Sequence, residues 1–118
     1  MSEEIEQTSD DFLVYTGEDG NAFPAKCIGA TGVISVASHV LGNDMVKMYN
    51  CLEALQMSEA AELHRQLVPK MNSLFTVPSP APVKFVLNHL GIEVGGVRLP
   101  LVACTKEEEE FILTTLNW

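Results

Sequence analysis

The sequence predicts an α/β fold in which two parallel strands are followed by helices alone. Two apolar runs, Phe12 to Thr16 and Gly32 to Ser38, are typical of short strands. The first suits a strand covered on both faces, and the second is richer in β-branched residues. Beyond residue 42, apolar residues recur at spacings of three and four, which is the period of an amphipathic helix. Because one helical crossover separates the two runs, we expect adjacent parallel strands with a right-handed connection.

The loop after the first predicted strand carries the most informative residues. In VYTGEDGNAF, residues 14–23, Gly17 and Gly20 permit a turn. The acids Glu18 and Asp19 stand where a helix N-terminus favours negative charge. The stretch therefore predicts a strand that runs through a loop into a helix.

The elements that flank this loop are shorter. Residues 1–9 are largely polar and predict a frayed helix end or a disordered tail. A helix is expected from about residue 19 to 28, where Pro24 is tolerated in the first turns and Gly29 ends the helix. The run 32–38 then forms the second strand.

Two long helices are predicted next. The first is capped by Asn43 or Asp44. The second begins at Ser58, and Pro69 is expected to kink it. The apolar stripe of the second helix comprises Ala60, Leu63, Leu67, Met71, Leu74 and Phe75.

The remaining chain predicts a connector and two shorter helices. The proline-rich stretch 77–82 is expected to be extended and rigid. A helix from Val83 to Leu90 should stop at Gly91. Thr105 and Glu108 form a capping box for a final helix that ends near residue 117.

Composition excludes several classes of protein. The chain has 118 residues, about the size of one domain, and a net charge of −9, which repels nucleic acid and anionic membranes. Its longest apolar runs are too short to cross a bilayer, and no charged and apolar leader opens the chain. We therefore expect a soluble, cytoplasmic protein with neither a nucleic-acid nor a membrane partner.

Neither the cysteines nor the histidines form a recognisable metal or disulfide pattern. No cysteine pair has the C-x-x-C spacing, and no histidine has another histidine or a cysteine four residues away. The sequence predicts reduced thiols and no metal site. The residues concerned are Cys27, Cys51, Cys104, His39, His64 and His89.

Two parallel strands do not form a sheet that is stable alone. Parallel strands occur almost only in sheets covered on both faces, and this chain would leave both outer edges open. The unit is therefore expected to be incomplete, or to be completed by another chain.

Five sequence blocks, in a characteristic order and spacing, resemble a known family. They are VYTGED, GATGVISVASHV, LVPKMNSLF, PSPAPVKFVLNHLG and RLPLV. From about residue 10 to 118 the chain resembles the C-terminal part of the bacterial dihydrodipicolinate synthases, in the N-acetylneuraminate lyase superfamily of class I aldolases. The block GVISV favours this branch over the sialic acid lyases.

The resemblance implies the C-terminal portion of a (β/α)8 TIM barrel followed by a helical C-terminal domain. Residues 1–55 would be the last two β/α units, with Phe12 to Thr16 as strand seven and Val33 to Ala37 as strand eight. Residues 56–118 would form the helical domain. The first six strands would lie outside this sequence.

The resemblance also implies a reaction. The family condenses pyruvate with aspartate semialdehyde through a Schiff base on a lysine, in lysine biosynthesis, and needs no cofactor. That lysine, its relay tyrosine and threonine, and the arginine that binds the substrate carboxylate would all lie upstream. We therefore expect this chain to be inactive alone, and to act with pyruvate only in a complete barrel.

Substrate-binding residues can be carried over at a few positions. By analogy with the family, Gly17, Glu18 and Asp19 line the site, and the main-chain carbonyl of Ile34 helps to hold the substrate. Ile28 matches a contact between subunits, so that a homo-oligomer is expected. No catalytic residue and no metal ligand is assigned.

Plain structural interpretations stand beside these assignments. Glu18 and Asp19 could act only as N-terminal helix charges, and Ile34 could be a core strand residue. Lys84 is a conceivable nucleophile, but the sequence favours an exposed lysine on a helix that follows a proline connector.

Two further alternatives concern the loops. The Gly17 to Gly20 loop could cradle phosphate, although two acids oppose an anion there. Ser35 or Ser38 with His39 could act as a nucleophile pair, although no nucleophile elbow surrounds either serine.

Two functions of different classes follow. The chain is the C-terminal piece of an aldolase, completed by a longer chain or by a complementing barrel fragment, or it is a non-catalytic truncated paralogue that acts as an oligomerising module. Both predict no activity from residues 1–118 alone. Both also predict that these residues form an oligomer or fold only partly.

Overall fold

The computed structural model describes residues 1–118. It contains two short strands, six helices and one 3-10 turn, and no helix or strand lies between residues 92 and 104. In chain order the elements are α1 (Ser2–Gln7), β1 (Tyr15–Thr16), the 3-10 turn (Asp19–Asn21), α2 (Ala22–Cys27), β2 (Gly32–Val33), α3 (Ser38–Glu53), α4 (Met57–Ser73), α5 (Ala81–His89) and α6 (Lys106–Leu116).

The two strands form a parallel sheet, as the sequence predicts. Tyr15 pairs with Gly32, and Thr16 pairs with Val33. Each strand is only two residues long. The fold is therefore α/β, with shorter strands than expected.

The expected cover on both faces of the first strand is absent in this chain. Phe12, Leu13 and Tyr15 all have exposed side chains. Met1 and Glu4, at the start of α1, lie beside them in a shallow depression without burying them, whereas Thr16 is buried. One side of the small sheet is consequently an apolar surface.

Gly29 ends α2, as predicted. Its φ of +104° is open to glycine at little cost. The N–H of Ala30 donates to the carbonyl of Ala25 at 2.9 Å, and the N–H of Gly29 donates to the carbonyl of Lys26 at 3.2 Å. This bonding pattern is a Schellman motif.

Helix α3 begins earlier than expected, at Ser38, so the cap predicted at Asn43 or Asp44 is wrong. The hydroxyl oxygen of Ser35 accepts a hydrogen bond from the N–H of Ser38 at 2.8 Å. The first N–H of the helix therefore already has a side-chain acceptor upstream, so that α3 can start at Ser38 rather than after Asn43 or Asp44.

The remaining helix ends follow the local sequence. Thr105 and Glu108 form the predicted capping box at the start of α6. Gly91, with a φ of +84°, follows the end of α5. Pro69 lies within α4, which continues to Ser73.

One apolar core joins α3, α4, α5 and α6. Leu74 is fully buried in it, whereas Phe75 is 49% exposed, so the prediction that both lie on the buried stripe is wrong for Phe75. The core takes residues from both sides of position 55. Its members are Ala22, Ala37, Leu41, Met45, Met48, Leu67, Met71, Leu74, Val86, Ile112 and Leu116.

None of the helices combines the length and the apolar composition that crossing a bilayer requires.

Candidate functional site

A cavity of about 220 Å³ opens at the carboxyl end of β1. One wall is the loop from Gly17 to Gly20, which includes three of the four residues predicted to bind substrate. Met71, Asn72 and Phe75 at the end of α4 form the other wall. The structure thus brings Gly17, Glu18 and Asp19 to one concave surface between the sheet and α4.

Glu18 is the exposed acid of this cavity. Its backbone N–H donates to the hydroxyl of the buried Thr16 at 3.3 Å. Its carboxylate accepts a hydrogen bond from the side-chain amide of Asn21 at 3.0 Å. The side chain is held locally and leaves acceptor capacity free for a ligand.

Asp19 is buried, with 4% of its surface exposed. One carboxylate oxygen accepts hydrogen bonds from the backbone N–H groups of Val36 at 3.2 Å and Ala37 at 3.0 Å. The other accepts a hydrogen bond from the hydroxyl of Ser35. The carboxylate thus bonds to the segment that leads into α3, across a separation of 16 to 18 residues.

The negative charge of Asp19 also affects the pKa of a side chain on α3. Burial, together with the negative charge of Asp19, raises the pKa of the Tyr49 phenol. The neutral hydroxyl donates to the carbonyl of Ala22 at 3.3 Å. The loop, α2 and α3 are thereby tied together beside the cavity.

Ile34 does not line this cavity, and its side chain is 69% exposed rather than part of a core. Its N–H donates to the carbonyl of Thr16 at 2.9 Å, which extends the pairing of the sheet by one bond. Its own carbonyl accepts no hydrogen bond from the chain. That oxygen is available to a ligand donor.

Ile28 lies away from the cavity, at the opposite end of α2. Its side chain is exposed, and its N–H bonds to the carbonyls of Pro24 and Ala25. An exposed apolar side chain at a helix end is suited to a contact between subunits, which stays a prediction.

The alternative nucleophiles have other roles in the structure. The ammonium group of Lys84 donates to the carbonyl of Gly96 and lines a separate cavity of about 180 Å³. Neither Ser35 nor Ser38 bonds to His39, because the Ser35 hydroxyl donates to Asp19 and the Ser38 hydroxyl donates to the carbonyl of Ser35.

The chain offers no cluster of metal ligands. No group of three or more His, Cys, Asp or Glu side chains has an arrangement that could hold a metal ion.

Sequence reasoning missed the α4 wall of the cavity. Asn72 lies between two positions of the apolar stripe, and Met71 and Phe75 were assigned to the core. The stripe predicts which face of a helix is buried. It carries no information on which loop lies beside the end of that helix.

The chain closely resembles known proteins over nearly its whole length. The model of the Dihydrodipicolinate synthetase family matches residues 1–117. A 4-hydroxy-tetrahydrodipicolinate synthase from Enterococcus faecalis is 64% identical over 117 residues, which cover 99% of this chain and 40% of that protein.

Solved structures agree with the sequence comparison. A dihydrodipicolinate synthase from Bacillus anthracis has a TM-score of 0.95 and 47% identity, over 99% of this chain and 40% of that one. One from Acinetobacter baumannii, complexed with pyruvate, has a TM-score of 0.87 and 28% identity, over 98% of this chain and 40% of that one.

The chain spans about 40% of the length of these relatives. A family match over residues 1–117 and 64% identity to a named relative establish its ancestry. The chain belongs to the dihydrodipicolinate synthetase family.

Proposed function

We propose that the chain supplies part of the substrate site of a pyruvate-dependent class I aldolase that condenses pyruvate with aspartate semialdehyde in cytoplasmic lysine biosynthesis. The observation that carries the proposal is the cavity at the carboxyl end of β1, lined by Gly17, Glu18 and Asp19. The carboxyl ends of parallel barrel strands are where such enzymes bind substrate. The pyruvate complex of the Acinetobacter baumannii relative supports the choice of substrate.

Each residue has a distinct part in the proposed site. Gly17 and Glu18 border the space open to substrate, and the exposed Glu18 carboxylate provides an acceptor there. The free carbonyl of Ile34 accepts a hydrogen bond from the bound substrate or its adduct. Asp19 is the buried acid of the same loop.

The proposed architecture is that of the last part of a TIM barrel. Residues 1–55 are the last two β/α units, with β1 and β2 as strands seven and eight, and residues 56–118 are a helical C-terminal domain. The exposed apolar side chains of Phe12, Leu13 and Tyr15 support this arrangement, because strands preceding them in a barrel would cover that side.

The chain alone is expected to be inactive. Schiff-base chemistry needs a lysine beside the bound pyruvate. None of the lysines lines the cavity at β1, and Lys84, the earlier candidate, bonds to Gly96 at a different surface. The proposal therefore takes the nucleophile from outside residues 1–118, in a longer chain or in a complementing barrel fragment.

Complementation tests the proposal. The chain is mixed with the part of the Enterococcus faecalis relative that lies outside its matched 117 residues. Each component alone should show no turnover, and the mixture should condense pyruvate with aspartate semialdehyde. Borohydride with pyruvate should trap an adduct on the added fragment, as read by intact mass and peptide mapping.

Two results would count against the proposal. A folded mixture without turnover would contradict the proposal that this chain supplies part of the aldolase substrate site. An adduct mapped to Lys84 would place the nucleophile in this chain, and Lys84→Arg, which keeps the charge and removes the reactive amine, would confirm the site of attachment.

A second candidate is a non-catalytic module that forms homo-oligomers. The apolar surface beside the sheet favours it, since Phe12, Leu13 and Ile34 are all exposed. Contiguous exposed apolar surface is typical of an interaction site. This function requires oligomers of the chain alone and no turnover in the complemented mixture.

A further inference from the structure

The Asp19 carboxylate connects the loop after β1 to the segment after β2. It accepts hydrogen bonds from the backbone N–H groups of Val36 and Ala37 and from the Ser35 hydroxyl. Because both oxygens are used and the residue is 4% exposed, little acceptor capacity is left for a ligand. The carboxylate also places a negative charge at the N-terminal end of α3, where it is favourable.

This connection fixes the peptide group between Ile34 and Ser35 from both sides. On one side, the N–H of Ile34 bonds to the carbonyl of Thr16 at 2.9 Å. On the other side, the Ser35 hydroxyl bonds to Asp19, three residues after Thr16. The Ile34 carbonyl is thus held between two anchors, one at the end of β1 and one on the loop that follows it, and yet accepts no bond from the chain.

We propose that Asp19 is a positioning residue that orients the Ile34 carbonyl by holding the Ser35–Ala37 turn, and that it is not a substrate ligand. The inference rests on the proposed function, in which that carbonyl contacts the substrate. It assigns different parts to two neighbouring acids. Glu18 faces the cavity opening, and Asp19 holds the backbone.

The test compares Asp19→Ala with Asp19→Asn by amide hydrogen exchange and by the carbonyl ¹³C shift of Ile34. In Asp19→Ala, exchange at Val36 and Ala37 should become about tenfold faster or more, because both N–H groups lose a charge-assisted acceptor. The ¹³C shift of Ile34 should move. Asp19→Asn should retain most of the protection, since the Asn oxygen caps helix N–H groups nearly as well as that of Asp.

Local and global effects are separated by internal controls. The amides of Met48 and Ile112 in the core should keep their exchange rates relative to one another and to the unaltered protein. Asp44→Ala removes an exposed acid from α3 and should change none of these readouts. Equal acceleration at core and turn amides, or unchanged exchange at Val36 and Ala37, would overturn the positioning role.

The kinetic arm uses the complemented mixture with pyruvate. Asp19→Ala should lower turnover and Asp19→Asn should restore most of it, whereas a substrate ligand or proton carrier would lose as much activity in both variants. If the unaltered mixture shows no turnover, the proposed function fails, and the exchange data still decide whether Asp19 positions the turn.

Discussion

The ring of Phe23 in α2 stacks on the imidazole of His64 in α4, with ring centroids 4.9 Å apart and planes inclined by 22°. Burial against this ring lowers the pKa of His64, and the nearby charge of Arg65 lowers it further. Folding therefore favours the neutral form of the His64 imidazole over the protonated form. The stacking joins the crossover helix to the longest helix of the chain.

A pH dependence of stability follows from this contact. Since the folded pKa of His64 lies below its unfolded value of 6.5, the unfolded state takes up the proton first as the pH falls. The contribution is fully present above pH 6.5 and is lost as the pH falls through the folded pKa. Urea unfolding at pH 7 and pH 5 should therefore show a smaller loss in His64→Gln than in the unaltered protein.

The exposed His39 provides the matched control for that measurement. His39→Gln should leave the difference between the two pH values unchanged. A His64→Gln protein with the full pH dependence would show that other groups carry it.

Leu74 and Phe75 are neighbours with opposite surroundings. Leu74→Ala should lower the free energy of unfolding by about 2–5 kcal/mol, because it leaves a cavity in the core. Phe75→Ala should lower it by much less, because half of the ring already faces solvent. Urea titrations of both variants measure the difference, and similar losses would mean that Phe75 is packed in solution.

Gly29 and Gly42 should respond in opposite directions to alanine. Gly29→Ala forces an L side chain to a φ of +104° and should destabilise the protein by about 1–2 kcal/mol. Gly42 lies inside α3 with no atom within 4 Å of an added Cβ, and Gly42→Ala should stabilise by about 0.5–1 kcal/mol. Thermal unfolding compares the pair, and a tolerated alanine at position 29 would exclude the strained helix end.

Residues 1–118 alone should form oligomers through the apolar surface beside the sheet. Leu13→Lys and Ile34→Lys place a charge on this surface and should shift the mass measured by light scattering towards the monomer. Leu99→Lys changes a still more exposed leucine in the segment 92–104, away from this surface, and serves as the control. A monomer with cooperative unfolding at all concentrations would contradict the prediction.

Several local features of this protein are determined by the sequence itself. Thr105 and Glu108 cap α6 from three residues apart, and Gly29 ends α2 through bonds that span at most five residues. The parallel pairing of β1 with β2 also follows, because a single short crossover leaves few other arrangements. The five sequence blocks were sufficient to identify the family, and the comparisons confirm that assignment.

The tertiary structure alone decided how the candidate site is arranged. In the sequence pattern Asp19 is only an acid near a helix N-terminus. Folding brings its carboxylate into hydrogen bonds with Ser35, Val36 and Ala37, and α3 starts at Ser38, well before Asn43. Folding likewise places α4 beside the Gly17 loop and leaves Phe75 exposed. Such contacts join residues that are far apart in the chain. A local sequence pattern therefore cannot predict them, because the groups come within hydrogen-bond distance only when the elements pack together.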